Sequence, residues 1–95
     1  MTQQYVVGEM SLLLAQLGAT ATDEASVRSA ASLQREAELV PVANLDFVAV
    51  RAIALADRMC WNAIAQGELA CFDRQASAGA ALHEFCICAG LLPED

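Results

Sequence analysis

Apolar positions recur along the chain at intervals of three and four residues, the spacing that places side chains on one face of an α-helix. No stretch alternates steadily between apolar and polar residues, and none carries a hairpin turn dipeptide. The pattern predicts an all-α fold of four helices, over about residues 4–17, 23–39, 45–66 and 68–89. Because the connections are short, the simplest topology is a compact antiparallel four-helix bundle with up-down-up-down order.

The predicted helix ends carry residues with known end preferences. Thr22 is placed to cap the second helix, and Asn44 to cap the third. Pro41 disfavours helical geometry in the residue before it, so the second helix should stop there. Gly67 and Gly90 follow the third and fourth helices, where a glycine in the left-handed conformation closes a helix.

The 95 residues are predicted to form one domain, residues 1–95. A chain of this length buries a modest fraction of its surface on folding, yet 57% of its residues are hydrophobic. We therefore predict that part of the apolar surface, on helix one with part of helix three, faces a partner: a second copy in a homodimer, or a larger protein. The predicted partner-binding residues are Tyr5, Val7, Leu12, Arg51, Arg58 and Trp61.

Two of these residues, Arg51 and Arg58, share one polar strip of helix three with Asn62. They could receive an acidic ligand or a partner's carboxylates. Alternatively they pair with Glu36 and Glu38 of helix two, and surface pairs of this kind contribute about 0–1 kcal/mol each. The sequence leaves both interpretations open.

The net charge of -7 arises from 12 acidic residues against five arginines, and lysine is absent. This charge repels phosphate backbones, so nucleic-acid binding is not expected. No apolar run reaches the roughly 20 residues of a membrane span, and the N-terminus lacks the positive charge of a signal peptide. We therefore expect a cytoplasmic protein with no membrane partner, and the lysine-free, alanine-rich composition is typical of a high-GC bacterial genome.

Four cysteines and a single histidine are the candidates for metal or redox chemistry. In a reducing compartment, cysteines at irregular spacing are expected to be thiols. His83 and Cys86 share a helix face and could supply two zinc ligands, with Cys60 or Cys71 from across the bundle. The alternative is that Cys86 fills core space, and we predict neither a metal site nor a cofactor. Cys88, near the solvent edge, is the redox candidate.

Asp57 interrupts an apolar part of helix three, where an acid is unexpected. A carboxylate there should meet an arginine, the histidine or water, because burying it without a partner is costly. An enzyme would need a second polar group beside it, and only His83 is available. No phosphate loop, nucleophile elbow or zinc-protease motif is present.

The sequence thus predicts a small acidic helical module that acts by protein–protein binding, as an adaptor or regulator, rather than by catalysis. The alternative is a bundle that binds a small molecule or a metal, or senses oxidants, through His83, Cys86, Cys60 and Cys71. Trp61, Met59 and Phe72 would line the pocket for a small molecule.

Overall fold

The computed structural model describes residues 2–93, and in that range the chain is all-helical. Four α-helices pack against one another: α1 (Gln3–Ala19), α2 (Glu24–Leu39), α3 (Leu45–Ala65) and α4 (Leu69–Cys88). A short 3₁₀ helix, Val42–Asn44, leads into α3. No helix in the described range is long and apolar enough to cross a membrane. The prediction of four packed helices is confirmed, and each end lies within two residues of its predicted position.

Side chains cap the first two helices. The Tyr5 N–H donates to the Thr2 hydroxyl at 3.2 Å, and the Ser26 N–H donates to the Asp23 carboxylate at 2.9 Å. The prediction that Thr22 caps α2 is therefore wrong by one residue. Asp23 lies nearer to the positive end of the helix dipole, and its carboxylate is the stronger acceptor.

Glycines close the last two helices as predicted. Gly67 has a φ of 72° and Gly90 a φ of 75°, values that favour glycine over other residues. Beyond Gly90 the Leu91 N–H donates back to the Cys86 carbonyl at 2.8 Å. This bond and the half-buried Leu91 hold the last turn of α4 against the core.

The core lies where the inner faces of the four helices meet. α1 and α3 supply most of its large side chains, and α4 adds Leu82 and Cys86. Close approach of two helix pairs depends on small residues, because a Cβ on Gly18 or Gly79 would lie 3.1 Å from the Cβ of Ala30 or Ala56. The side chains with less than 2% exposure include Met10, Leu14, Leu17, Leu45, Val48, Leu82 and Cys86.

Polar contacts tie the helices together at several levels. The Ser11 hydroxyl on α1 donates to Glu38 on α2 at 2.9 Å. At one end of the bundle the buried Gln75 amide donates to the Thr20 carbonyl at 3.1 Å. At the other end Tyr5 meets Phe85 edge to face, with ring centroids 6.4 Å apart. These contacts join α1 to α2 and both ends of α1 to α4.

Asp23→Ala is expected to lower the thermal midpoint of unfolding by a few degrees near neutral pH, because the Ser26 N–H loses its acceptor. Hydrogen bonds from Ser26 hold the pKa of Asp23 below 3.8, and Arg58 adds a smaller effect. The carboxylate therefore stabilises the fold above pH 3.8, and this stabilisation is lost as pH falls through the lower folded-state pKa. Thermal melts followed by circular dichroism should thus converge for variant and wild type in acid. Thr22→Ala is the control, and an equal loss in it would contradict the assignment of Asp23 as the cap.

Candidate partner-binding groove between α3 and α4

The outer surfaces of α3 and α4 form an apolar groove of about 580 Å³. Both helices contribute: the α3 side is made of larger side chains, and the α4 side mostly of small ones. The groove is open to solvent. Its lining residues are Ile53, Ala56, Asp57, Cys60, Trp61 and Ile64 from α3, and Phe72, Ala76, Gly79, Ala80 and His83 from α4.

The α3 side continues as a stripe beyond the groove. Val50, Ile53, Asp57, Trp61 and Ile64 follow one another at steps of three or four residues, so they share one helix face. Val50 is 56% exposed and Trp61 70% exposed. The stripe spans 14 residue steps, about 21 Å at 1.5 Å per residue. It is long enough to contact about four turns of another helix.

The α4 side of the groove forms a shallow wall because its residues are small. Gly79 lies against Ala56 of α3 and lets the two helices come close, and Ala76 and Ala80 leave a shallow floor beside them. Phe72 precedes these small residues along α4 and His83 follows them, and both line the groove. A partner backbone can therefore approach α4 closely while its side chains meet the larger groups of α3.

Asp57 is the one carboxylate among the groove-lining residues. Its side chain is exposed, so water solvates the carboxylate. No ion pair or hydrogen bond engages its side chain in the described part of the chain. Asp73 and Glu84 are exposed on α4 and stand three or four residues from the lining residues Ala76 and Ala80, so they lie along the same rim.

The arginines lie elsewhere. Arg28, Arg51 and Arg58 line a separate cleft of about 480 Å³ between α2 and α3. Arg51 pairs there with Glu36, as one of the two interpretations predicted, whereas Glu38 accepts from Ser11 instead. Three arginines thus line the cleft on the α2 side of α3, and no arginine lines the groove on its α4 side.

The predicted partner-binding residues do not form one surface. Trp61 lies in the groove, and Arg51 and Arg58 line the cleft on the other side of α3. Tyr5 and Leu12 are about half exposed on α1, at 53% and 51%. Val7 is half-buried and lies beside Val42.

The residues predicted for metal or small-molecule binding are also separated. Cys60 and His83 line the groove, and Cys86 is buried in the core. The Cys71 thiol donates to Glu68 at 3.6 Å and accepts from Arg74 at 3.4 Å. Trp61 and Phe72 line the groove, but Met59 is a core residue. Within residues 2–93 no three side chains of His, Cys, Asp or Glu come close enough together to hold a metal ion.

The four cysteines are free thiols. Burial raises the pKa of Cys86 to about 11. Burial, with a smaller effect from the charge of Asp57, raises the pKa of Cys60. Both thiols are therefore largely protonated at neutral pH and react slowly. Cys88 is exposed, at the last position of α4.

A catalytic role would depend on Asp57 and His83, which line the same groove. No hydrogen bond joins the two side chains in the described part of the chain, and both are exposed to solvent.

Comparisons with protein-family models, with curated proteins and with solved structures found nothing that matches this chain.

Proposed function

We propose that this chain is a non-catalytic protein-interaction module, an adaptor or regulator, whose contact surface is the α3–α4 groove. The observation that carries the proposal is the exposed apolar stripe of α3, in which Val50, Trp61 and Ile64 are 56%, 70% and 44% exposed. Contiguous apolar surface of this kind on a small domain is typical of a binding site.

Position along the helix distinguishes this stripe from ordinary surface apolar residues. Leu39 is 81% exposed at the end of α2 and Val27 is 46% exposed, yet neither lies in the groove. Scattered side chains of this kind are normal on a protein surface. The α3 residues repeat at helical spacing and face a second helix with its own apolar groups, so one partner element can cover them together.

Two further features belong to the proposal. The contacts of Ser11 with Glu38, of Tyr5 with Phe85 and of Gln75 with Thr20 support an antiparallel up-down-up-down order of the helices. A cytoplasmic location fits four free thiols, because cysteines in oxidising compartments usually form disulfides.

We propose that the free chain self-associates as a weak homodimer through the groove. Apolar contact of two stripes favours it. Asp57 opposes it, because this residue is the midpoint between Val50 and Ile64, and a two-fold axis through the stripe brings the two Asp57 carboxylates together. Desolvating two like charges side by side is unfavourable.

Removal of this carboxylate should therefore strengthen the dimer. Asp57→Leu is expected to tighten self-association at least about tenfold, because Leu adds apolar area and removes the repulsion. About 1 M salt, where the screening length is near 3 Å, should strengthen the wild-type dimer in the same direction. Trp61→Ser should abolish association in both backgrounds. Sedimentation velocity over a micromolar concentration series measures all three.

Leu39→Ser is the matched control, since it removes an exposed leucine away from the groove, and it should leave association unchanged. Circular dichroism should show the same helix content in every variant. If the Asp57→Leu variant stays monomeric at high micromolar concentration in high salt, the groove does not mediate self-association and the proposal fails for this face.

A further inference from the structure

The geometry points to one class of occupant for the α3–α4 groove: an amphipathic α-helix of another protein that presents arginine or lysine to Asp57. This inference rests on the proposed function and names its partner. The shape of the groove and the placement of charge in and around it support it.

The shape of the groove suits a helix. Its two sides are helices whose lining residues repeat at steps of three and four, with Ile53 to Ile64 on α3 and Phe72 to His83 on α4. The groove between two such stripes is the surface into which a third helix packs its own i, i+3, i+4, i+7 residues. The stripe length of about 21 Å corresponds to about 14 residues of the partner helix.

The charges around the groove select a basic partner. Asp57 lies within it, and Asp73 and Glu84 lie along its α4 rim. The five arginines of the chain line the α2–α3 cleft or stand elsewhere, and none lines the groove. A partner helix that crosses these carboxylates is favoured if it carries positive charge beside its apolar face.

A second copy of the same face does not meet this requirement. The residues that line the groove include one carboxylate, Asp57, and one histidine but neither arginine nor lysine, so two copies place acid against acid. The carboxylate at the centre of the apolar stripe therefore discriminates between a second copy and a basic helix.

The inference is tested with the full chain and three synthetic helical peptides that contain no tryptophan. The first places leucines at i, i+3, i+4 and i+7 spacing with lysines beside them. The second has glutamate in place of each lysine, and the third has the composition of the first in scrambled order. Trp61 is the single tryptophan of the chain and is 70% exposed, so its emission reports occupancy of the groove directly.

The lysine peptide is expected to bind and to shift Trp61 emission to shorter wavelength. The glutamate and scrambled peptides should bind at least about tenfold more weakly, because each lacks one of the two required features. Affinity for the lysine peptide should fall as salt rises, which is opposite to the salt dependence expected of the homodimer.

Charge reversal at Asp57 tests whether this carboxylate causes the preference for the lysine peptide. Asp57→Lys should weaken the lysine peptide about tenfold and improve the glutamate peptide, as measured by Trp61 emission and by calorimetry. Glu24→Lys is the matched control, with the same change in net charge on an exposed residue of α2 outside the groove. It should change neither affinity more than about twofold.

Each other result overturns the inference. Equal binding of the lysine and glutamate peptides would show that the groove does not select positive charge. Equal binding of the scrambled peptide would show that the groove does not require a helical pattern of apolar residues. If no peptide binds while Trp61-dependent self-association persists, the face belongs to a second copy and the proposed function stands without this inference. If neither the peptides nor a second copy involves Trp61, both proposals fail.

Discussion

Leu14→Ala is expected to lower the free energy of unfolding by about 2–5 kcal/mol. Leu14 is fully buried at the centre of α1, in the cluster that joins all four helices. Truncation of its isobutyl side chain to a methyl group loses apolar burial and leaves a cavity that the neighbouring Met10 and Leu17 fill only in part. Because domains of this size have net stabilities of about 5–15 kcal/mol, the loss is a large fraction of the total.

Leu12→Ala provides the matched control two residues away on the same helix. Leu12 is 51% exposed, so the same chemical change there should alter stability by less than about 1 kcal/mol. Urea unfolding followed by circular dichroism gives both values. Similar losses at the two positions would mean that α1 is rotated from the described orientation, with Leu12 covered.

The helices themselves could be predicted well from sequence, because their ends depend on local chemistry. Pro41, Gly67 and Gly90 act within their own turns, and the structure places helix ends beside each of them. The capping residue of α2 could not be predicted from sequence, since Thr22 and Asp23 are both good caps. Only the backbone geometry at Asp23 decides between them. Local signals thus fix an element to within a residue or two.

The location of the surplus apolar surface could not be predicted in the same way. The sequence pattern favours helix one with part of helix three, and the continuous exposed stripe of the structure lies on α3. Periodicity gives the angle between residues on a helix and does not say which side meets its neighbours. α3 is apolar around most of its circumference, so Val50 and Val48 are indistinguishable in sequence, although the first is 56% exposed and the second 1%.

The groove depends in addition on tertiary placement. Trp61 belongs to it only because α4 packs beside α3 at the Gly79–Ala56 approach. A heptad count over residues 50–64, with Asp57 at its centre, was the signal available in the sequence, since an acid within an apolar stripe marks a face that keeps contact with water. The pairing of Arg51 with Glu36 agrees with one of the two interpretations of the polar strip, whereas Glu38 accepts from Ser11.

Cys86 is expected to react with a maleimide at least about tenfold more slowly than Cys88 in the folded protein at pH 8. Burial raises the pKa of Cys86 to about 11, so little of this thiol is thiolate at pH 8, and burial also blocks access to it. Cys88 is exposed two residues later, and two residues separate side chains by about 200° around a helix. Mass spectrometry of single variants, Cys86→Ala and Cys88→Ser, assigns the rates.

Two further measurements show whether burial is the cause. In urea the difference between the two thiols should collapse, because the unfolded chain exposes both. In the folded protein the rate at Cys86 should rise about tenfold per pH unit toward its pKa near 11. Fast labelling of Cys86 at pH 8 would instead show that the last turn of α4 opens, despite the bond from the Leu91 N–H to the Cys86 carbonyl. Oxidants at neutral pH should therefore reach Cys88 before Cys86.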